Sequence, residues 1–261
     1  VKFDSGSSLT VDFCEFVSAA TYAVLLQDWT GGSGALAPIA ISDTHIVAPS
    51  YGAFADNLEH VAIAFNNVTA VAGASAGHGL SFQHVVAGST IDFTDVSASH
   101  GTDYGLELYA CSDVAVTVTG GTLAGPLGGI RIDKCHAGTL TAVTAVMTGT
   151  NPLHILRGTK TIVPLLQPDC TVAKLRIEDT VMDLLYITGG NLPAIFEAEV
   201  ERVAIANTGV MGVRLVSLTA GHTIHLTDVN SHVSGHAFRF QSSTGATVSV
   251  TNCGFTGRSF A

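Results

Sequence analysis

Charge is scarce in this chain. Only 12% of its 261 residues are Asp, Glu, Lys or Arg, about half the share of an ordinary globular domain. Lys and Arg number eleven against twenty-one Asp and Glu, giving a formal net charge of −10. Neutralising phosphates needs clustered basic side chains, so a nucleic-acid partner is excluded. No run of eighteen apolar residues occurs, which leaves no helical membrane span. Aromatics are thin for a sugar-stacking protein, with one Trp and five Tyr. The five cysteines, Cys14, Cys111, Cys135, Cys170 and Cys253, form no CxxC pair, so no zinc site is expected, nor any other metal or cofactor. Strong helix formers such as Glu, Lys and Gln are few. What dominates is Gly, Ala, Val and Thr, with 47% of residues hydrophobic. That composition favours strands joined by tight turns over helices.

A repeat is present. Thr90-Ile91-Asp92-Phe93-Thr94-Asp95-Val96 is echoed by Thr223-Ile224-His225-Leu226-Thr227-Asp228-Val229 and by Thr247-Val248-Ser249-Val250-Thr251-Asn252-Cys253. The shared pattern is apolar, x, apolar, small polar, Asx, β-branched or small. With the second apolar residue as anchor, the anchors fall at Phe13, Ile41, Phe65, Phe93, Val118, Val143, Ile177, Ile205, Leu226 and Val250, 21 to 34 residues apart. The residue two positions earlier is also apolar, except at Thr141. Period-two alternation sends both to one face, the core. Two positions after each anchor stand Glu15, Asp43, Asn67, Asp95, Gly120, Ala145, Asp179, Asn207, Asp228 and Asn252. Asn and Asp tolerate left-handed backbone, so this position reads as a corner.

A second strand occurs once per repeat, often opened by glycine, as in Gly79-Leu80-Ser81-Phe82, Gly105-Leu106-Glu107-Leu108 and Gly129-Ile130-Arg131-Ile132. Later examples are Gly212-Val213-Arg214-Leu215 and Ala237-Phe238-Arg239-Phe240. Cys111 and Cys135 each follow this strand at the same offset, so they are expected one above the other, either as a disulfide or as two small buried thiols. The fold class implied is all-β: one single-stranded right-handed parallel β-helix over residues 1–261, of about ten coils and about 48 Å at the usual strand spacing. The chain ends read as those of a fragment or a processed product. Insertions at 27–38, 157–170 and 189–200 are expected at one corner, with Lys160, Asp169, Glu197 and Glu199 and the apolar Ile162, Val163, Leu165, Leu166, Leu192, Ile195 and Phe196 forming a docking surface or a local cap.

The stacked Asx corners resemble the asparagine ladders of pectin-lyase-like β-helices. The resemblance spans the whole chain and is architectural; in character it is closest to bacteriophage tailspike and tail-fibre domains. It implies two kinds of function, glycan-recognising virion component or polysaccharide-degrading enzyme. Gly77-His78-Gly79 and Arg131-Ile132-Asp133 are similar to polygalacturonase motifs, but the paired aspartates that do the acid–base work in such enzymes are missing on the coil before His78. The glycine–histidine segment therefore reads as a turn. The outward side of the second strand runs Ser81, Glu107, Arg131, His154, Arg214, Arg239. Glu107 and Arg131 stack there with Asp133 nearby. These three are the candidate catalytic residues, a carboxylate pair beside a cation, and the bland reading is a solvated cross-strand salt bridge. The histidines His222, His225, His232 and His236 match no zinc spacing and read as surface residues.

The preferred expectation is a structural or receptor-recognition β-helix of a bacteriophage virion (tailspike, tail fibre or capsid-attached fibre) that binds a host surface glycan. A lyase or glycoside hydrolase is the alternative and a bacterial surface adhesin the second. The outward row beside the anchors, Asp12, Ala40, Ala64, Asp92, Thr117, Ala142, Arg176, Ala204, His225 and Ser249, is mostly small, which suits close packing in a homotrimer beside other virion proteins. The expected location is the virion, or else the cell surface or the extracellular space.

Overall fold

In the computed structural model the chain coils into a parallel β-helix of about nine turns, with almost no helix. The structure describes every residue except 5–7, 33–34, 159–162, 167–170, 183, 207–210 and 258–261. Lys160, Ile162, Asp169, Cys170 and Asn207 lie outside the described residues, as do the side chains of Val163 and Leu165.

Three sheets run along the first coils. The long sheet stacks Tyr22–Thr30, Tyr51–Glu59, Leu80–Val86, Tyr104–Tyr109, Gly128–Asp133 and Leu153–Leu156, then continues through Lys174–Met182, Phe196–Ala206, His222–Thr227 and Thr247–Thr251. A second sheet runs from Leu9–Asp12 to Val163–Leu166, and a third from Glu15–Val17 to Thr171–Val172. A short fourth sheet joins Leu185–Thr188, Met211–Val216 and His236–Gln241. Every pairing is parallel, for example Ile91 with Ile63 and Phe93 with Phe65. Coil-to-coil hydrogen bonds thus satisfy the backbone while inward side chains fill the tube. Phe65, Phe82 and Phe93 meet there with ring centroids 5.6 to 5.8 Å apart.

The expected register holds for Ile41, Phe65, Phe93 and Val118, which are all buried and stacked. It needs two corrections nearby. Ile41 pairs with Val11 rather than Phe13; Phe13 is 80% exposed and sits in the corner at φ 50°. Val118 pairs with Ala142 rather than Val143, so Leu140 and Ala142 point inward and Thr141 points out. The apolar break at Thr141 was a frame error, and Ala142 is not an outward residue. A larger correction concerns the C-terminal coils. Ile177 stacks on Ile155, and Leu226 and Val250 follow through Val200, all in the long sheet. The anchor pattern therefore moves to another side of the coil after Leu156, and Gly212–Leu215 and Ala237–Phe240 lie in the fourth sheet.

The corners are left-handed, as the Asx pattern implied: Asp43, Asn67, Asp95, Asp179, Asp228 and Asn252 have φ between 47° and 53°. They form two ladders, one after the second sheet and one after the long sheet. Asn67 Nδ2 donates to Asp43 Oδ1, and Asn57 Nδ2 to Asp28 Oδ1, both at 2.6 Å. Thr144, not Ala145, takes the corner of its coil. Cys111 and Cys135 stack as expected, because Tyr109 pairs with Asp133 and Ser112 with His136. Both are buried free thiols. The insertions do not emerge at one corner: residues 189–195 connect the fourth sheet to the long sheet, where Leu192 packs on the core, Phe196 is buried and Ile195 is 78% exposed. Among the described residues no helix is long and apolar enough to cross a membrane.

Candidate functional site

Parallel stacking turns each outward position of the long sheet into a row along the rod. The central row reads Leu25, Phe54, Ser81, Glu107, Arg131, His154, Arg176, Glu199, His225, Ser249. Two positions on, a flanking row includes Gln83, Tyr109, Asp133, Leu156, Glu178 and Glu201. The expected order Ser81, Glu107, Arg131, His154 is present, but the next member is Arg176. Arg214 and Arg239 belong to the fourth sheet.

Glu107, Arg131 and Asp133 do come together. Arg131 bridges the two carboxylates, with Nη1 3.4 Å from Glu107 Oε1 and Nη2 2.8 Å from Asp133 Oδ2. Asp133 is fully buried and also accepts Arg157 Nε on Oδ1 at 2.8 Å, while Arg157 Nη2 shares Oδ2 with Arg131. Such enclosure makes Asp133 the fixed point that orients two guanidiniums. Glu107 is almost as buried. Ser81 Oγ donates to it at 3.1 Å, and His78 Nε2 lies 3.1 Å away. Burial pushes its carboxyl up, but His78, Arg131 and Ser81 together outweigh burial and hold it below the usual carboxylate range. Glu107 is thus an anion at neutral pH, suited to accept hydrogen bonds or a proton and unsuited to donate one as a general acid.

A second chain of contacts lies beside it. Tyr104 Oη is 2.7 Å from His154 Nδ1, and His154 Nε2 is 2.9 Å from Glu178 Oε1. Burial lowers the His154 pKa despite Glu178. At Glu178 burial acts to raise the pKa, and Arg176 and His154 overcome it, leaving it low. A neutral imidazole next to an ionised carboxylate fixes the tautomer: Nε2–H donates to Glu178, and Nδ1 accepts from the Tyr104 hydroxyl.

The glycine–histidine segment is a turn, with Gly77 at φ 151°, yet its histidine is buried inside the cluster, which the turn reading missed. His78 Nδ1 faces Asp103 Oδ1 across 3.6 Å, and neither atom has a hydrogen-bond partner. A readable signal existed. The residue before each opening glycine is Tyr51, His78 or Tyr104 on successive coils. These rings form a line, with Tyr22 to Tyr51, Tyr51 to His78, His78 to Tyr104 and Tyr104 to His154 centroid distances of 5.3, 6.0, 6.2 and 6.1 Å. Phe54 joins it, 4.9 Å from Tyr22 and 5.2 Å from Tyr51. Glycine is required behind the line because the coil closes tightly there: a Cβ on Gly105 would lie 2.6 Å from the Ala124 nitrogen and the Ala98 oxygen. The single Trp, by contrast, is buried in the core.

Farther along the sheet, Arg176, Glu199, Glu201, His225, Thr227, Ser249 and Thr251 line a shallow groove of about 410 Å³. The expected surface histidine His222 is instead buried, its ring bonded to the Pro193 carbonyl and the Thr219 N–H. Among the described residues no three or more His, Cys, Asp or Glu side chains converge as a metal site. No family model matches this chain, and neither a curated protein nor a solved structure does.

Proposed function

We propose that the long-sheet face is a glycan-recognition surface, and that the rod serves as a receptor-binding structural element of the kind found in bacteriophage tail fibres and tailspikes. The reading is supported above all by one juxtaposition. Half-buried rings of Tyr22, Tyr51 and Phe54 lead directly, coil by coil, into the polar cluster of His78, Glu107, Arg131 and His154. Apolar ring faces next to fixed donors and acceptors are what a sugar, with one apolar face and a rim of hydroxyls, demands. Four of the five tyrosines, Tyr22, Tyr51, Tyr104 and Tyr109, stand on this one sheet, so a low aromatic count still yields a local platform.

Recognition fits the cluster better than cleavage. Hydrolysis by Glu107 and Asp133 would need one protonated carboxyl, whereas Glu107 is held ionised and Asp133 is enclosed by two arginines. A panel of neutral and acidic polysaccharides in affinity electrophoresis tests the reading. Retardation by at least one glycan, weakened about tenfold by Tyr51→Ala and unaccompanied by shortening of the glycan, is expected. Cleavage abolished by Glu107→Gln and Asp133→Asn would instead make the face an active site. In a virion setting the rod would be a homotrimer packed through the small outward row Thr10, Ala40, Ala64 of the second sheet, beside other virion proteins. Light scattering should then give three times the 26.8 kDa of the chain.

A further inference from the structure

The chain holds a second patch whose charges are arranged differently. On the long sheet and its corner, the arginines are matched by carboxylates: Arg131 by Glu107 and Asp133, Arg157 by Asp133, Arg176 by Glu178 and Glu199, Arg202 by Asp179 and Glu201. Arg214 and Arg239 are not. They are Cα partners on neighbouring strands of the fourth sheet, in one outward row with Tyr186. Among the described residues no carboxylate pairs with either, in a chain whose net charge is −10. Like charges directly opposite on adjacent strands repel, and both side chains are half-buried, so the repulsion is not fully screened by water. The Arg214 guanidinium lies 4.8 Å from the Tyr186 ring centroid, which fixes its plane, and its Nε is buried without a hydrogen-bond partner. Tyr186 itself keeps 39% of its surface exposed.

We infer that Arg214, Arg239 and Tyr186 form a subsite for the carboxylate of an acidic sugar. Arg214 and Arg239 stand at paired positions on adjacent strands, and each guanidinium carries a planar fork of N–H donors that can grip a carboxylate in bidentate fashion. The anion relieves the repulsion between them, and the exposed edge of Tyr186 gives a sugar ring an apolar contact beside the charge. Thr188 and Gln241 occupy the next outward row on the same strands and supply hydroxyl and amide groups at the rim. The subsite deepens the glycan reading by naming an acidic glycan, and rests on it for the sugar part of the ligand.

Thermal unfolding of the full chain with sodium glucuronate, a neutral methyl glucoside, inorganic phosphate and sodium chloride, at matched ionic strength, tests this separately from polysaccharide binding. Glucuronate should raise the melting temperature where the glucoside and chloride do not. Arg214→Gln and Arg239→Gln should each abolish that rise. Arg239→Lys, which keeps the charge and loses the fork, should weaken apparent affinity about tenfold. An equal rise with phosphate would overturn the sugar assignment, and a rise that survives in both Gln variants would overturn the subsite. In affinity electrophoresis the Gln variants should lose the preference for carboxylated over carboxyl-reduced polysaccharide while Tyr51-dependent retardation by neutral glycan persists. Loss of all retardation in the unmodified protein alongside an intact glucuronate shift would instead defeat the long-sheet reading and leave the anion site standing.

Discussion

Over the same coils, the outward row of the second sheet runs Thr10, Ala40, Ala64, Asp92, Thr117, Thr141, and that of the long sheet runs Lys2, Leu25, Phe54, Ser81, Glu107, Arg131. Both rows sit on one core and one backbone hydrogen-bond pattern. Stacking demands only the inward residues, so outward choices are free of the fold. The second sheet uses that freedom blandly. The long sheet buries carboxylates and imidazoles and draws a partly exposed arginine in between them. Desolvating such groups is expensive, and even a well-paired buried ion cluster contributes little net stability compared with apolar packing. A face that costs stability this way is organised for something other than folding.

The shared core sets the largest expected effect. Phe93→Ala should destabilise the rod by about 3–5 kcal/mol, since the ring is fully buried against Phe65 and Phe82, and Ile205→Ala by about 2–5 kcal/mol for the same reason. Urea denaturation measures both. A near-neutral result in either would break the premise that both faces rest on one packed interior.

The next effect separates the faces directly. Asp133→Asn leaves Arg131 and Arg157 next to each other without their shared anion. Because both arginines are partly exposed, the cost should be about 2 kcal/mol rather than the full penalty of a deeply buried pair. Thr141→Ala, outward on the second sheet of that coil, should stay within about 0.5 kcal/mol. Equal costs would erase the distinction between the faces.

How much of this was legible in the sequence follows from the physics of stacking. Period two located the core residues Ile41, Phe65, Phe93 and Val118 and the outward group Glu107, Arg131 and Asp133, because alternation is a property of one strand. It failed where a coil offered two apolar frames. Ala142-Val143 satisfies either, and only the burial of Leu140 decides. Phe13 misled because an apolar residue can occupy the left-handed corner itself. The shift of Ile177, Leu226 and Val250 to the long sheet was invisible, since the pattern apolar, x, apolar, x, Asx serves either side of the coil equally well. His78 and Glu178 were missed as site members because their partners, Glu107 and His154, lie 29 and 24 residues away and meet them only through stacking.

Acidity should act on the long-sheet face in two stages. His154, and His100 at the end of the third-sheet strand Ser97–His100 with its ring 6.3 Å from that of His78, have pKa values lowered from 6.5, chiefly by burial. Below pH 6.5 the unfolded chain therefore binds protons that the folded one resists, and stability begins to fall as pH drops through that value. Glu107 and Glu178 have pKa values lowered from 4.5, so their contribution is present above pH 4.5 and is lost as pH falls below it. Melting temperature measured from pH 8 to pH 4 should show the first decline, and His154→Gln should shrink it. A profile flat to pH 5 would mean that the buried histidines are not stability-coupled and that the two faces respond alike.

The smallest effect compares the corners that follow the two sheets. After the second sheet, successive corners are filled by Asp43, Asn67, Asp95 and Gly120, residues at ease in left-handed backbone. After the long sheet, over the neighbouring coils, they are Asn57, His84, Ala110 and Lys134. His84 and Lys134 have reasons to be there, since His84 Nδ1 meets Asp56 at 2.8 Å and Lys134 Nζ donates to Tyr109 Oη at 2.6 Å. Among the described residues, Ala110 has only its backbone bond to the Asp133 carbonyl, made at φ 51°. An alanine in that region costs about 1–2 kcal/mol, and glycine would recover it less about 0.5–1 kcal/mol of extra unfolded-chain entropy. Ala110→Gly should therefore stabilise the rod by about 0.5 kcal/mol, a rise in melting temperature of about 1–2 °C for a chain of this size. The same exchange at Asp95 should gain nothing, since Asp is already tolerated there. A loss of stability at Ala110→Gly would show that the methyl group is itself packed, and that the corner after the long sheet is as selective as the one after the second.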